Sequence, residues 1–226
     1  MWVGAGRIRR GVAQAALLGA VLTGCSGASG EEPADDRASA SGEASGGGPA
    51  AAKSGGSVGA AGSACELPVT FDVAASWEPK AVDAEPAGGD DELARELADA
   101  LLHQGPVTAA CEIDAKPAGN IGFLRVWTGE PGDAADARSV LKEFVAAETG
   151  AGKAAYRAFE AADGVTGAEV TYQYTSKTLG ETKEERALAV TTKRGPVVLH
   201  LGGMDTEEHR AMLPAYELAK RTLRVG

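Results

Sequence analysis

The last third of the chain has the clearest pattern of apolar and polar positions. Residues 167–176 alternate, with Tyr172 and Tyr174 on one face, and residues 185–192 alternate again. Residues 196–201 (PVVLHL) form a more continuously apolar run, which is typical of a buried strand. Because only short links separate these three segments, the pattern predicts an antiparallel meander.

Earlier in the chain, shorter segments predict a mixture of strands and helices. The spacing of apolar residues predicts strands at 69–73, 107–113 and 121–127, and helices at 90–104, 133–149, 152–162 and from 205 to 223. The helix at 90–104 carries leucines at i, i+4 and i+8, which predicts a buried stripe. Pro214 conflicts with an unbroken last helix, so we expect a kink or a break there.

The predicted order of elements indicates an α+β fold, with helices packed on the faces of an antiparallel sheet. The segment 70–77 (TFDVAASW), the late run of three strands and a closing helix that ends in TLRV (222–225) resemble the PsbP-like α/β/α sandwich. Actinobacterial lipoproteins of the LpqN type share that fold. The Pro-x-Gly-Trp of the family is here Ala-Ala-Ser-Trp, and the helix at 90–104 would be an insertion. The resemblance covers 66–226 and implies binding or assembly rather than catalysis.

The first 24 residues have the organisation of a lipoprotein signal peptide. Three arginines (Arg7, Arg9 and Arg10) precede an apolar run, 11–22, that is too short to span a bilayer. The run ends in Leu-Thr-Gly-Cys, which resembles the bacterial lipobox. In that family of signals the cysteine, here Cys25, is lipidated and becomes the new N-terminus. Two or more acyl chains anchor a protein stably in a membrane. The alternative is an ordinary secretory signal with an incidental cysteine.

Residues 25–63 are predicted to form a disordered tether behind the lipidated cysteine. Of the 38 residues at 26–63, 30 are Gly, Ser, Ala or Pro, and Val58 is the only larger apolar residue. Such a segment buries too little apolar surface to offset the conformational entropy that ordering would cost. A single globular α+β domain is therefore predicted to span 64–226, which is long enough for one hydrophobic core.

The two remaining cysteines, Cys65 and Cys111, predict a disulfide. An exported protein folds in an oxidising environment, where two thiols without other partners form a bridge. The closed loop of about 47 residues would contribute about 4 kcal/mol in the chain-entropy model. The alternative is a cysteine pair for metal or redox chemistry, although the sequence has no CxxC and no spacing of metal ligands.

Composition and motifs point to no particular chemistry. The net charge of -10 argues against a nucleic-acid partner, because phosphate neutralisation needs a basic surface. The sequence has no nucleophile elbow, P-loop, HExxH or EF-hand pattern, so we expect no cofactor and no metal. His200 lies within a predicted strand and suggests a structural role, whereas His103 and His209 lie on predicted helices and are expected to be solvated.

Three aromatic residues form the candidate ligand site. Trp127, Tyr172 and Tyr174 lie on predicted strands and could line a groove. The alternative is ordinary packing of the sheet core or across strands.

The sequence thus leads to a functional expectation for the cell envelope. We expect a lipoprotein anchored on the extracytoplasmic face of the cell membrane. Its domain is expected to act as a non-catalytic binding or protein-interaction module, with an envelope protein, a wall polymer or a small ligand as its partner. Two alternatives remain open, an envelope hydrolase with a site built from carboxylates and a receptor for a small ligand.

Overall fold

Eleven β-strands and three α-helices are formed by residues 50–83, 92–131 and 136–226, the part of the chain that the computed structural model describes. The strands are β1 (Ser54–Val58), β2 (Val69–Ala74), β3 (Glu78–Ala81), β4 (His103–Gln104), β5 (Val107–Asp114), β6 (Gly122–Thr128), β7 (Ala151–Glu160), β8 (Thr166–Thr175), β9 (Thr182–Thr192), β10 (Gly195–Gly203) and β11 (Arg224–Val225). The helices are α1 (Glu92–Leu102), α2 (Ala137–Ala147) and α3 (Thr206–Thr222).

All described residues lie in the second of two units of the chain, Met1–Ser45 and Gly46–Gly226. The predicted signal peptide (1–24), the predicted lipidation site Cys25 and the tether up to residue 49 fall outside the described residues. None of the described helices has the length and apolar character needed to cross a membrane.

The larger sheet has eight strands, and its neighbouring strands are antiparallel. Its order is β3-β5-β6-β10-β9-β8-β7, with the two-residue β4 also pairing with β5. The predicted meander is its centre: Ala189 of β9 lies between Ala168 of β8 and Val198 of β10. A smaller sheet has the order β1-β2-β11. The predicted fold class, antiparallel sheet with helices on its faces, is confirmed.

Alternation along the strands gives the larger sheet two buried faces. Along β10, Val197, Leu199 and Leu201 pack in the core on the α3 side, whereas Val198 packs in the core on the α2 side. On the second face α2 places its apolar side against β7, β8, β9 and β10. The helix begins at Asp136, whose side chain accepts hydrogen bonds from the backbone N–H groups of positions 138 and 139.

The helix α3 and the small sheet cover the first face. Met212, Tyr216 and Leu223 are fully buried against it. The break that was one of the two expectations at Pro214 is wrong, because one helix continues through this residue. A proline inside a helix costs about 3 kcal/mol. Burial of this apolar stripe on both sides of Pro214 outweighs that cost.

The segment predicted as a helix at 152–162 is an edge strand, β7. It pairs antiparallel with β8, with Tyr156 opposite Val170. Most of its side chains are exposed, and only Ala151, Tyr156 and Phe159 are half-buried. The alanine-rich composition favours a helix in isolation, but backbone pairing with a neighbouring strand overrides that weak local preference.

Two further boundaries differ from the sequence-based expectation. The predicted end of the tether at residue 63 is wrong, because β1 pairs with β2 and Val58 is buried. Gly59 follows, and a Cβ there would lie 1.8 Å from the carbonyl oxygen of Val69, so this close approach needs a glycine. The stripe predicted on the helix at 90–104 is wrong as well, because Leu93 and Leu101 are exposed.

A disulfide joins Cys65 and Cys111, as the sequence predicts. The two Cα atoms are 5.9 Å apart, and both side chains are buried in the core on the α3 side. A register shift between Ala109 and Cys111 explains how β5 reaches that side, since Ala109 packs on the opposite face. The bridge therefore ties the segment before β2 to the middle of the larger sheet.

Candidate functional site

A cavity of about 860 Å³ lies over one end of the larger sheet, on the face that also carries α2. Side chains of β6, β8, β9 and β10 form its floor. The ends of α1 and α2 and the connection between β5 and β6 form its walls. A volume of this size is typical of pockets for small organic ligands.

The pairing of neighbouring strands brings together the polar side chains at the floor of the cavity. His200 of β10 lies opposite Arg125 of β6, and Tyr172 of β8 lies opposite Glu185 of β9. Since β10 and β9 are neighbours in the sheet, these side chains from four strands converge on one face. Glu148, the residue that ends α2, comes from the layer above.

A hydrogen-bonded chain links five polar side chains in this part of the molecule. The hydroxyl of Tyr172 lies 2.7 Å from Oε2 of Glu148 and 3.1 Å from Nε2 of His200. The same ring nitrogen lies 3.0 Å from Oε2 of Glu185. The other oxygen of Glu185 is 2.7 Å from Nζ of Lys183. Each link has hydrogen-bonding geometry, so the five side chains hold one another in place.

The charge of Glu185 determines which atoms of these hydrogen-bonded side chains carry protons. Burial alone raises the pKa of Glu185, but the hydrogen bond and charge of His200 and the charge of Lys183 outweigh it and lower the pKa. An ionised Glu185 only accepts, so Nε2 of His200 carries the proton between them. Burial, with Glu148 and Glu185 nearby, raises the pKa of Tyr172, which stays protonated and donates to Glu148.

Aromatic rings enclose the imidazole of His200. The ring of Phe144 from α2 meets it edge to face at a centroid distance of 5.5 Å. The ring of Tyr172 is nearly parallel to it at 6.3 Å. Trp127 packs edge to face on Phe144 at 5.6 Å. These contacts hold the imidazole rigidly in the floor.

Two cations of the cavity wall already have carboxylate partners. Arg125 is paired with Glu112 of the neighbouring strand, and its guanidinium lies 4.4 Å above the ring of Phe123. Lys183 is paired with Glu185, and its ammonium also donates to the carbonyl oxygen of Gly203 at 2.7 Å. Both cations are therefore locked into the protein.

Glu148 differs from the other carboxylates of the wall. Among the described residues, its side chain accepts a hydrogen bond from Tyr172 and forms no ion pair with a basic side chain. The phenol occupies one of about four acceptor positions of a carboxylate. Glu148 thus keeps most of its acceptor capacity at the cavity wall.

Exposed apolar side chains gather at the mouth of the same cavity. Leu101 at the end of α1 is 61% exposed, Ile121 before β6 is 53% exposed and Met204 after β10 is 59% exposed. All three line the cavity. They make up half of the large apolar side chains that are strongly exposed in the described ranges, and such a concentration marks a contact surface.

Comparison with known proteins places the chain in a family. The model of a family described as "uncharacterised lipoprotein" matches residues 35–223. The chain belongs to this lipoprotein family. No curated protein matches the lipoprotein. Its structure is similar to the solution structure of cyanobacterial PsbP (CyanoP) from Synechocystis sp. PCC 6803, with a TM-score of 0.47 and 14% sequence identity, over 82% of this chain and 98% of that one.

The structure brings two of the three sequence-predicted groove residues to the cavity of the lipoprotein. Trp127 and Tyr174 line it, and Tyr172 lies behind the wall and reaches it through Glu148 and His200. Sequence reasoning missed Glu148, Glu185 and Arg125. Glu185 and Arg125 could have been recognised as polar residues at inward-facing positions of apolar strands. Glu148 lies at the end of a helix, where the sequence gives no comparable pattern.

The other histidines of the lipoprotein differ from each other. His103 is exposed and lines the cavity. The expectation that His209 is solvated is wrong, because its side chain is buried at 2% exposure and its Nδ1 has no hydrogen-bond partner among the described residues. Burial lowers the pKa of His209 from 6.5 to about 4. No cluster of three potential metal ligands occurs within the described residues.

Proposed function

We propose that this lipoprotein is a membrane-anchored binding module of the cell envelope, which holds a small ligand in its cavity without converting it. The observation that carries the proposal is the cavity of about 860 Å³ with an apolar mouth and a rigid polar floor. Membership of a lipoprotein family supports a place in the envelope. The lipobox-like Leu-Thr-Gly-Cys supports lipid attachment at Cys25 on the extracytoplasmic face.

The ionisation of Glu185 favours binding over hydrolysis. A hydrolase that works with two carboxylates needs one whose pKa is raised, so that it can donate a proton. The pKa of Glu185 is lowered, and its two oxygens are engaged by His200 and Lys183. Such a carboxylate is suited to hold its neighbours in position and to accept hydrogen bonds.

Native mass spectrometry of the full chain, extracted from its membrane, tests the binding function. We expect a non-covalent adduct on the wild type. Ala100→Trp places a large ring at an exposed position that lines the cavity and should remove the adduct. Ala146→Trp places the same ring at an exposed position of α2 outside the cavity and should keep it. A bare wild type, or an adduct that both variants retain, would overturn the proposal.

Fractionation tests the anchor separately. Wild type should partition with membranes and incorporate labelled fatty acid, and Cys25→Ala should appear in the soluble fraction without label. A Cys25→Ala protein that remains with the membrane would contradict lipid anchoring at this residue.

A further inference from the structure

We infer that the ligand of the cavity is an amphipathic amine, a molecule with a cationic ammonium head and an apolar body. The inference rests on the proposed binding function and names its ligand class. It follows from the charges of the wall and from the position of the apolar residues relative to them.

The unpaired carboxylate of Glu148 selects the charge of the head group. The Arg125–Glu112 and Lys183–Glu185 pairs are each neutral, and the remaining lining pair, Asp114 and Lys116, is of opposite sign. Glu148 is then the carboxylate of the wall that forms no ion pair with a basic side chain of the described residues. An ammonium supplies three donors and a positive charge next to this carboxylate, whereas an anion placed there would be repelled by it.

The protein also prepares Glu148 for this role. The hydroxyl of Tyr172 donates to Oε2 of Glu148, because Nε2 of His200 already carries a proton and cannot accept another. The carboxylate is therefore fixed before a ligand arrives, which lowers the entropic cost of binding. The net charge of -10 attracts cations to the protein as a whole.

The apolar residues specify the body of the ligand. Leu101, Ile121 and Met204 come from three separate elements and surround the mouth of the cavity that holds Glu148. Each would lose exposed apolar surface if an alkyl or aromatic body lay between them. A simple metal cation or a small polyamine would leave this surface uncovered, so the arrangement favours an amphiphile.

Matched probes of equal chain length test the ligand class. We would titrate n-octylamine, 1-octanol and octanoate into the full-length Cys25→Ala protein, whose lack of an anchor keeps lipids out of the assay. Amide chemical shifts in NMR spectra give both the dissociation constant and the location. We expect octylamine to bind at least 10-fold more tightly than octanol, octanoate to bind more weakly than both, and the shifts to centre on residues 101, 121, 148 and 204.

Two variants test separately how the cationic head and the apolar body of the ligand contribute to binding. Glu148→Gln keeps an acceptor for Tyr172 and should bring octylamine and octanol to equal affinity, whereas Glu143→Gln, on an exposed position of the same helix, should change neither. Leu101→Ser should weaken both probes about equally, and Leu179→Ser, at an exposed leucine outside the cavity, should have no effect. Thermal unfolding confirms that each variant is folded.

The possible outcomes distinguish failure of the proposed ligand class from failure of the proposed binding function. Equal binding of octylamine and octanol in the cavity of the wild type would overturn the amine and leave the binding function standing. If none of the three probes binds in the cavity but the native protein carries an adduct, the amphipathic-amine proposal is overturned and the binding function stands. Absence of both the probes and the adduct would overturn the two together.

Discussion

Nε2 of His200 lies 3.0 Å from Oε2 of Glu185, and both side chains are buried. The pair sits in the floor of the cavity, where Tyr172 and Lys183 complete the hydrogen bonds of its two members. A buried carboxylate with two partners stabilises the fold only while it is ionised. The stability of the domain and the geometry of the cavity are therefore coupled through Glu185.

Glu185→Gln should destabilise the domain. The variant leaves His200 and Lys183 without a charged acceptor, and we expect the free energy of unfolding to fall by about 2–4 kcal/mol. Glu184→Gln is the matched control, because the adjacent Glu184 forms an ion pair with Arg210 whose side chains are 41% and 62% exposed. Its cost should stay below about 1 kcal/mol. Urea unfolding measures both, and equal losses would contradict the role assigned to Glu185.

The same carboxylate predicts acid sensitivity. Because the pKa of Glu185 in the fold is lowered from 4.5, its stabilisation is complete above pH 4.5 and is lost as the pH falls through the lowered pKa. Urea midpoints recorded from pH 6 to pH 2 should therefore fall less steeply below pH 4.5 in Glu185→Gln than in wild type. Parallel curves for the two proteins would show that Glu185 is not the responsible group.

Burial of His209 predicts a second pH range, above that of Glu185, in which the stability of the domain changes. Its pKa in the fold, about 4, lies below the ordinary value of 6.5, so the unfolded chain takes up the proton first. Stability is complete above pH 6.5 and should fall by about 3 kcal/mol as the pH falls from 6.5 to 4. His209→Leu should lose this part of the pH dependence, and the exposed His103→Gln should keep it. An NMR titration of His209 with a midpoint near 6.5 would contradict the prediction.

Removal of the disulfide should cause a large loss of stability. Replacing both Cys65 and Cys111 by alanine should lower the free energy of unfolding by about 4 kcal/mol, because the unfolded chain regains the freedom of a long loop. Thermal unfolding of the double variant should be unaffected by dithiothreitol, whereas that of wild type should fall with the reductant. A wild type with the same midpoint in both conditions would argue against the bridge.

A buried carboxylate on the opposite face gives a further prediction. Glu169 is fully buried under α3, where Arg157 donates to it at 2.6 Å and Lys220 at 3.3 Å. Glu169→Gln removes the charged partner of Arg157 and leaves Lys220 paired with Glu217 alone, and it should cost about 3–5 kcal/mol in chemical unfolding. Glu160→Gln, at an exposed position of the neighbouring strand β7, should change stability by less than about 0.5 kcal/mol. A small effect at Glu169 would show that water replaces the carboxylate.

The fold was predictable where apolar periodicity and burial agree. The strands β8, β9 and β10 alternate in sequence and pack on both faces, and the two cysteines pair as expected. The prediction failed for β7 and β1 because both have little buried surface. Their conformation comes from backbone bonds to β8 and β2, which leave no trace in the side-chain pattern.

The cavity was predictable only in part, for a related reason. Trp127 and Tyr174 were recognisable as inward aromatic residues of strands. The link from Glu148 to Tyr172 spans 24 residues in sequence, and that from Glu185 to His200 spans 15. Such contacts depend on strand order and register, which a single sequence does not specify. The apolar residues of the mouth lie at the end of α1, before β6 and after β10, where apolar periodicity does not distinguish exposed side chains from buried ones.

Both edges of the larger sheet are unsuited to joining another sheet. At one edge β3 contains Pro79, which has no N–H to donate. At the other, the register of β7 shifts between Gly152 and Ala155, and the exposed Lys153 has a positive φ. Where copies of the domain meet at high local concentration, these edges keep them from polymerising through their backbones.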